Sequence, residues 1–96
     1  MITSKQRAAL RAMANQMDAI FQIGKGGIND ALINQVDDAL RVRELIKMSI
    51  LETSPITAKE AAQVLAEAVN AEIVQVIGGK LVLYKKNPKE PKIILK

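Results

Sequence analysis

The residues of this chain best suited to chemistry by type and spacing are Ile23-Gly24-Lys25-Gly26-Gly27-Ile28, a glycine-rich turn with one lysine. The turn follows an apolar run, Ala19-Ile20-Phe21-Gln22-Ile23, and precedes a helical pattern that begins near Asn29. A strand that hands over to a helix through such a turn presents bare backbone N–H groups at the helix start. Those donors, the positive end of the helix dipole and the Lys25 ammonium together suit a phosphate. Glycine lets the backbone take positive φ and lets a ligand approach closely.

The spacing narrows the choice of phosphate. A Walker A loop ends in Gly-Lys-Ser/Thr, whereas Gly27 is followed by Ile28-Asn29, with no hydroxyl placed for magnesium. A dinucleotide fingerprint, Gly-x-Gly-x-x-Gly, would need glycine at Asn29. What remains is a short Gly-x-x-Gly loop of the kind that clamps a nucleic-acid backbone in KH domains. The alternative is a tight strand-to-helix turn with a solvated lysine.

Other chemistry is scarce. The chain has no Cys and no His. No zinc site, disulfide or imidazole base is therefore expected, and Ser4, Ser49 and Ser54 have no histidine to activate them. Asp37 and Asp38 are adjacent, so on a helix they point about 100° apart and read as solvated surface charges. No enzyme activity, metal, cofactor or small-molecule substrate is expected. The only aromatics are Phe21 and Tyr84, too few for the serial base stacking of an RRM or an OB-fold. Phe21 reads as core and Tyr84 as a packed ring with its hydroxyl at the rim. Recognition of a nucleic acid would then rest on phosphates, 2′-hydroxyls and shape.

The charge is uneven. Fourteen Lys and Arg face ten Asp and Glu, a net +4 over 96 residues. Lys5, Arg7 and Arg11 occupy the first eleven residues with no acid; Lys80, Lys85, Lys86, Lys89, Lys92 and Lys96 crowd the last seventeen against Glu90 alone. Basic ends folded against one surface would attract phosphates; a solvated basic surface is the plain alternative. No apolar stretch reaches membrane-span length, and Met1-Ile2-Thr3-Ser4-Lys5 does not read as a signal peptide, so a cytoplasmic protein with no membrane partner is expected.

The elements that must position these groups follow from periodicity and caps. Thr3-Ser4-Lys5-Gln6 has the spacing of a capping box, and Leu10, Met13, Ala14 and Met17 continue at helical spacing, predicting a helix from Ser4 to about Asn15. Arg7 and Arg11 lie four apart on one flank of it, where two guanidiniums match spaced phosphates. A strand over residues 19–23 follows. A second helix runs from about Asp30 to Leu40, capped by Asn29 and closed by Arg41 and Arg43. Leu45 to Leu51 reads as a strand with Ile46, Met48 and Ile50 on one face and Lys47 and Ser49 on a partly wet one. Ser54-Pro55 breaks the chain. Thr57-Ala58-Lys59-Glu60 is a second capping box, leading a stripe of Ala61, Val64, Leu65, Ala68 and Val69. Residues 72–77 and 80–86 form a hairpin across Gly78-Gly79. The order is α-β-α-β-α-β-β: an α/β two-layer sandwich, with a small mixed four-stranded sheet and helices on one face. Residues 1–86 make a single domain, and 87–96, with Pro88 and Pro91, a basic extended tail in which Ile93-Ile94-Leu95 can lie back on the body.

Ile20 to Asn29, with Glu44-Leu45-Ile46-Lys47, Glu72 to Gly78, Leu81 to Lys85 and the opening Thr3 to Arg7, resembles the CRM domain, named for chloroplast RNA splicing and ribosome maturation. The resemblance covers residues 2 to 86 and is similar in size to the stand-alone bacterial YhbY-like proteins. It implies an RNA-binding module similar in fold to the C-terminal domain of bacterial translation initiation factor three. It also implies that Gly24, Lys25, Gly26, Gly27 and nearby basic residues, here Lys5, Arg7, Arg11, Lys47 and Lys85, contact RNA, and that the partner is ribosomal RNA in precursors of the large subunit. A protein-interaction adaptor that docks an acidic partner through the basic surface is the competing reading, and a nucleotide-binding enzyme a more distant one.

Overall fold

The computed structural model describes residues 2–95; the terminal Lys96 of the basic tail lies outside them. The elements are α1 (Ser4–Ala14), β1 (Phe21–Ile23), α2 (Asp30–Arg43), β2 (Leu45–Ile50), α3 (Ala58–Val69), β3 (Glu72–Ile77) and β4 (Lys80–Tyr84), the order expected from the sequence. Local chemistry sets most boundaries. Thr3 and Thr57 each accept from the N3 amide while Gln6 and Glu60 reach back to the cap, so both capping boxes form. Asn29 caps α2 through the Leu32 amide. Gly78 takes φ +56° at the first turn position between Ile77 and Lys80, where two-residue hairpins require positive φ.

The sheet order is β1-β2-β4-β3. β1 and β2 are parallel, joined by the α2 crossover, with Ile23 opposite Ile50. β4 runs antiparallel to both β2 and β3, with a bulge between Ile73 and Gln75. The hydrophobic core forms where α2 and α3 cover one face of the sheet: Val36, Leu40, Ala61, Ala62, Leu65 and Val69 pack on Ile23, Ile46, Met48, Leu81 and Leu83. Ala62 and Ala66 belong to this seam, whereas Val64 is 46% exposed.

The expectation of helices on one face holds for α2 and α3 and is corrected for α1. Leu10 and Ala14 of α1 pack on Leu45, Val74, Val82 and Tyr84, which point from the opposite face. Strand alternation makes this necessary. Four large side chains on the second face would otherwise stand in water, and α1 buries them, assisted by Ile2, Met17, Ile93 and Leu95. Locally the molecule is therefore three layers, α1 over the sheet over α2 and α3.

Candidate functional site

The parallel β1–β2 pair fixes where the glycine turn sits. Ile23 ends β1 opposite Ile50, the Ile50 amide donates to Gly79 O at 2.6 Å, and the Leu51 amide donates to Ile23 O at 2.8 Å. The glycine turn, the 51–56 segment and the β3–β4 hairpin thus gather at one end of the sheet. Both α2 and α3 start there, at Asn29 and Thr57, so two positive helix ends face the same region.

Within the turn, the Gly27 amide donates to Gly24 O at 3.0 Å, leaving Lys25 and Gly26 as the exposed central residues. The glycines differ in what requires them. Gly27 has φ +65°, and a Cβ there would stand 3.2 Å from Pro55 Cγ. Both backbone and packing demand glycine. Gly26 has no positive φ, and a Cβ there would meet nothing within 4 Å. Nothing inside the protein calls for glycine at that position. The side chains around the turn are balanced in sign: Lys25, Lys59 and Lys80 against Asp30, Glu52 and Glu60, all exposed. Glu60 is engaged with Thr57, whose hydrogen bonds hold its carboxyl below the usual range.

The other sequence-selected cations are dispersed. Lys47 lies mid-sheet on the α1 face, where its Nζ donates to Ala14 O at 3.1 Å at the C-terminal end of α1. Arg11 is exposed in the last turn of α1. Arg7 is half-buried, its Nε donating to Ile73 O on the β3 edge at 3.3 Å. Lys5 is exposed in the first turn of α1, towards the opposite end of the sheet, since the neighbouring Ile2 amide reaches Glu72. Lys85 follows β4 at that same far end, donating to Val69 O at 2.8 Å and lying 3.6 Å from Asp37. Asp37 and Asp38 are not merely solvated. Both pair with Arg41, at 2.8 and 3.3 Å.

The structure also gives a role to a residue for which the sequence suggests none. Glu44, the C-cap of α2, is fully buried and has φ +64°. Its carboxylate accepts from the backbone amides of Asn87, Lys92 and Ile93. Burial pushes its pKa up, but those three amides and nearby Lys86 outweigh it and leave the carboxyl below its ordinary value. The sequence held a faint signal. A C-terminal helix position that favours glycine carries a glutamate, which also opposes the helix dipole.

Tyr84 is 4% exposed, so its ring face is packed rather than open for stacking. Its hydroxyl pKa is raised by burial and by Glu44. Among the described residues no group of His, Cys, Asp or Glu is arranged to hold a metal ion, and no helix is long and apolar enough to cross a membrane.

Comparison with known proteins places this arrangement. The CRS1/YhbY (CRM) domain model matches residues 2–85. The "Probable RNA-binding protein YqeI" of Bacillus subtilis is 41% identical over 95 residues, 99% of both chains. A protein of Haemophilus influenzae named "RNA-binding protein" is 28% identical over 84 residues, 88% of this chain and 85% of its own. The solution structure of the hypothetical protein SAV1595 from Staphylococcus aureus, a candidate RNA-binding protein, superposes with a TM-score of 0.82 at 47% identity over 100% of both chains. With its element order, its Gly24–Gly27 turn and a family match that runs nearly end to end, the chain belongs to the CRS1/YhbY (CRM) domain family.

Proposed function

We propose that this protein binds RNA through the Gly24–Gly27 turn and acts as an assembly factor on ribosomal RNA in large-subunit precursors. The observation that carries the RNA contact is Gly26. It is exposed beside the free Lys25 ammonium, its φ is not positive, and a side chain would meet open space. A glycine that the fold does not need is explained by a ligand backbone that comes close to it. The start of α2 and Lys25 supply donors for a phosphate there. Relatives named as RNA-binding proteins support the same reading. The resemblance to stand-alone bacterial YhbY-like proteins supports the large-subunit precursor as the particle.

Arg11 and Lys5, exposed on α1, extend the contact. Arg7, Lys47 and Lys85 are each tied to a backbone carbonyl, and Lys85 also pairs with Asp37, so their first role is to hold elements together, and a phosphate contact from them uses the donors those bonds leave over. Filter binding with structured ribosomal RNA, against an acidic protein as competitor, tests the reading. Engagement of about four phosphates gives a slope of log affinity against log salt near −3. Preferential capture of the acidic protein, with RNA binding insensitive to salt, would favour the adaptor instead. For the particle, the test is co-sedimentation with large-subunit precursors in a low-salt gradient.

A further inference from the structure

Four cations with no ion pair among the described residues, Arg43, Lys86, Lys89 and Lys92, lie on the two segments that meet at Glu44. All four are exposed. Glu90 is the acid of the tail without an ion pair among the described residues, while Asp37 and Asp38 of α2 are engaged with Arg41 and Lys85. The helix ends nearby would ordinarily repel an anion. Here one carbonyl at each end is capped by a side-chain donor: Lys85 Nζ donates to Val69 O, and Asn87 Nδ2 to Arg41 O at 3.1 Å. Lys86 lines both grooves that flank the tail. One, of about 690 Å³, lies against Ile2, Gln6 and Glu72; the other, of about 410 Å³, lies against Asp37, Arg41 and Lys89.

Two side chains order the tail: Glu44, and Asn87, whose Oδ1 accepts from the Lys89 and Glu90 amides. Both oxygens of the Glu44 carboxylate are taken, one by Asn87 and the other by Lys92 and Ile93. Those bonds bracket Lys89, anchor Lys92 itself, leave Lys86 adjacent to the first anchor, and hold Ile93 against the α1 side of the sheet. Such a tether reduces the entropy that a cationic segment loses when it engages phosphates.

We propose that residues 86–92 form a second RNA contact, positioned by the buried Glu44 carboxylate at the end of the sheet opposite the glycine turn. This rests on the RNA-binding reading above and specifies its ligand. The six residues of β2 separate the two ends by about 20 Å, and the whole molecule is 38 Å long. The ligand is then a folded RNA with phosphates presented at both ends, rather than a short single strand held in the turn.

The experiment measures salt-dependent affinity for a hairpin RNA with a stem of about 16 base pairs, the length spanned by double-stranded-RNA-binding domains. Lys86→Ala with Lys89→Ala removes two exposed charges and should lower the magnitude of the salt slope by about 1.4–1.8. Glu44→Gln puts an N–H donor where one of the amides now donates, and should lower the slope to a similar extent. Combined with the lysine pair it should add little, since both act on one contact. Lys25→Ala should lower the slope by about 0.7–0.9 independently. A lysine-pair variant with the parental slope, alongside a Lys25 variant that weakens, overturns the tail contact and leaves the turn standing. A Glu44→Gln variant with the parental slope overturns the positioning role. Salt-insensitive or absent binding of the hairpin by the parent protein removes the underlying reading itself.

Discussion

The two ends of this small sheet solve anion binding differently. The glycine-turn end has exposed Lys25, Lys59 and Lys80 offset by Asp30, Glu52 and Glu60, so its net field is weak. It offers geometry: a turn with an unobstructed Gly26 and two helix starts. The tail end has the reverse. It carries lysines without ion pairs among the described residues but no glycine in its backbone, and its order rests on the buried Glu44 carboxylate together with the Asn87 side chain. Short-range complementarity and long-range charge are thus separated in space. Substitutions at Lys25 and Gly26 should change affinity with little change in stability, and those at Glu44 should change both.

The largest expected effect breaks the tail end. Glu44→Ala strands three amide donors and frees the tail. Hydrogen bonds to a charged group contribute about 1.5–3 kcal/mol each, but the released amides regain water, so a net loss of about 2 kcal/mol is expected, a fall in Tm of roughly 8–16 °C for a domain of this size. The pH dependence has a definite sign. The folded carboxyl lies below its ordinary value, so its stabilisation is fully present above the ordinary carboxylate range and is lost as pH falls through the folded pKa. Thermal melts of Glu44→Gln should show a shallower acid decline than the parent. Equal declines would mean that Glu44 does not carry the tether.

Next in size is Gly26→Ala. Its φ and surroundings accept a methyl group, and removing glycine reduces unfolded-state entropy, so stability should hold or rise by about 0.4–1 kcal/mol. RNA affinity should nonetheless fall roughly tenfold, about 1.4 kcal/mol, because the methyl occupies the ligand's approach. Gly27→Ala makes the control. With φ +65° and Pro55 at 3.2 Å, it should lose stability as well as affinity. If Gly26→Ala binds RNA as the parent does, the distinction between the two glycines disappears.

Much of this architecture is written locally. Thr3 with Gln6, Thr57 with Glu60, Asn29 and Gly78-Gly79 each declare an element boundary within four residues, and all act as their types predict. The glycine turn was legible for the same reason. What sequence reading missed depends on contacts between distant segments. Lys47 and Ser49 made one face of β2 look wet, yet Leu45 on that face meets Leu10 and Tyr84, and only the docking of α1 resolves the conflict. Glu44 was hidden because its partners lie 43 to 49 positions downstream and are backbone amides, which carry no residue signature. The scatter of Lys5 and Lys85 away from the turn likewise follows from strand order rather than from spacing along the chain.

The smallest effect is expected at Arg41. Its pairs with Asp37 and Asp38 are exposed, so Arg41→Ala should change stability by no more than about 0.5 kcal/mol, as read by denaturant unfolding. A larger loss would mean that the bond from Asn87 Nδ2 to the Arg41 carbonyl depends on the Arg41 side chain, so that its ion pairs also support the tail.

The central claim is that the Gly24–Gly27 turn is a binding element rather than only a structural one, and Lys25→Glu tests it most directly. Lys25 is exposed and makes no ion pair among the described residues, so thermal unfolding should stay within about 0.5 kcal/mol of the parent. Loss of a charge-assisted phosphate contact costs roughly 1.5–3 kcal/mol of binding, and the introduced carboxylate adds repulsion. The account therefore predicts a protein that melts like the parent and binds structured RNA at least about tenfold more weakly. A variant that melts normally and binds RNA with parental affinity would contradict it and remove the turn from the interface.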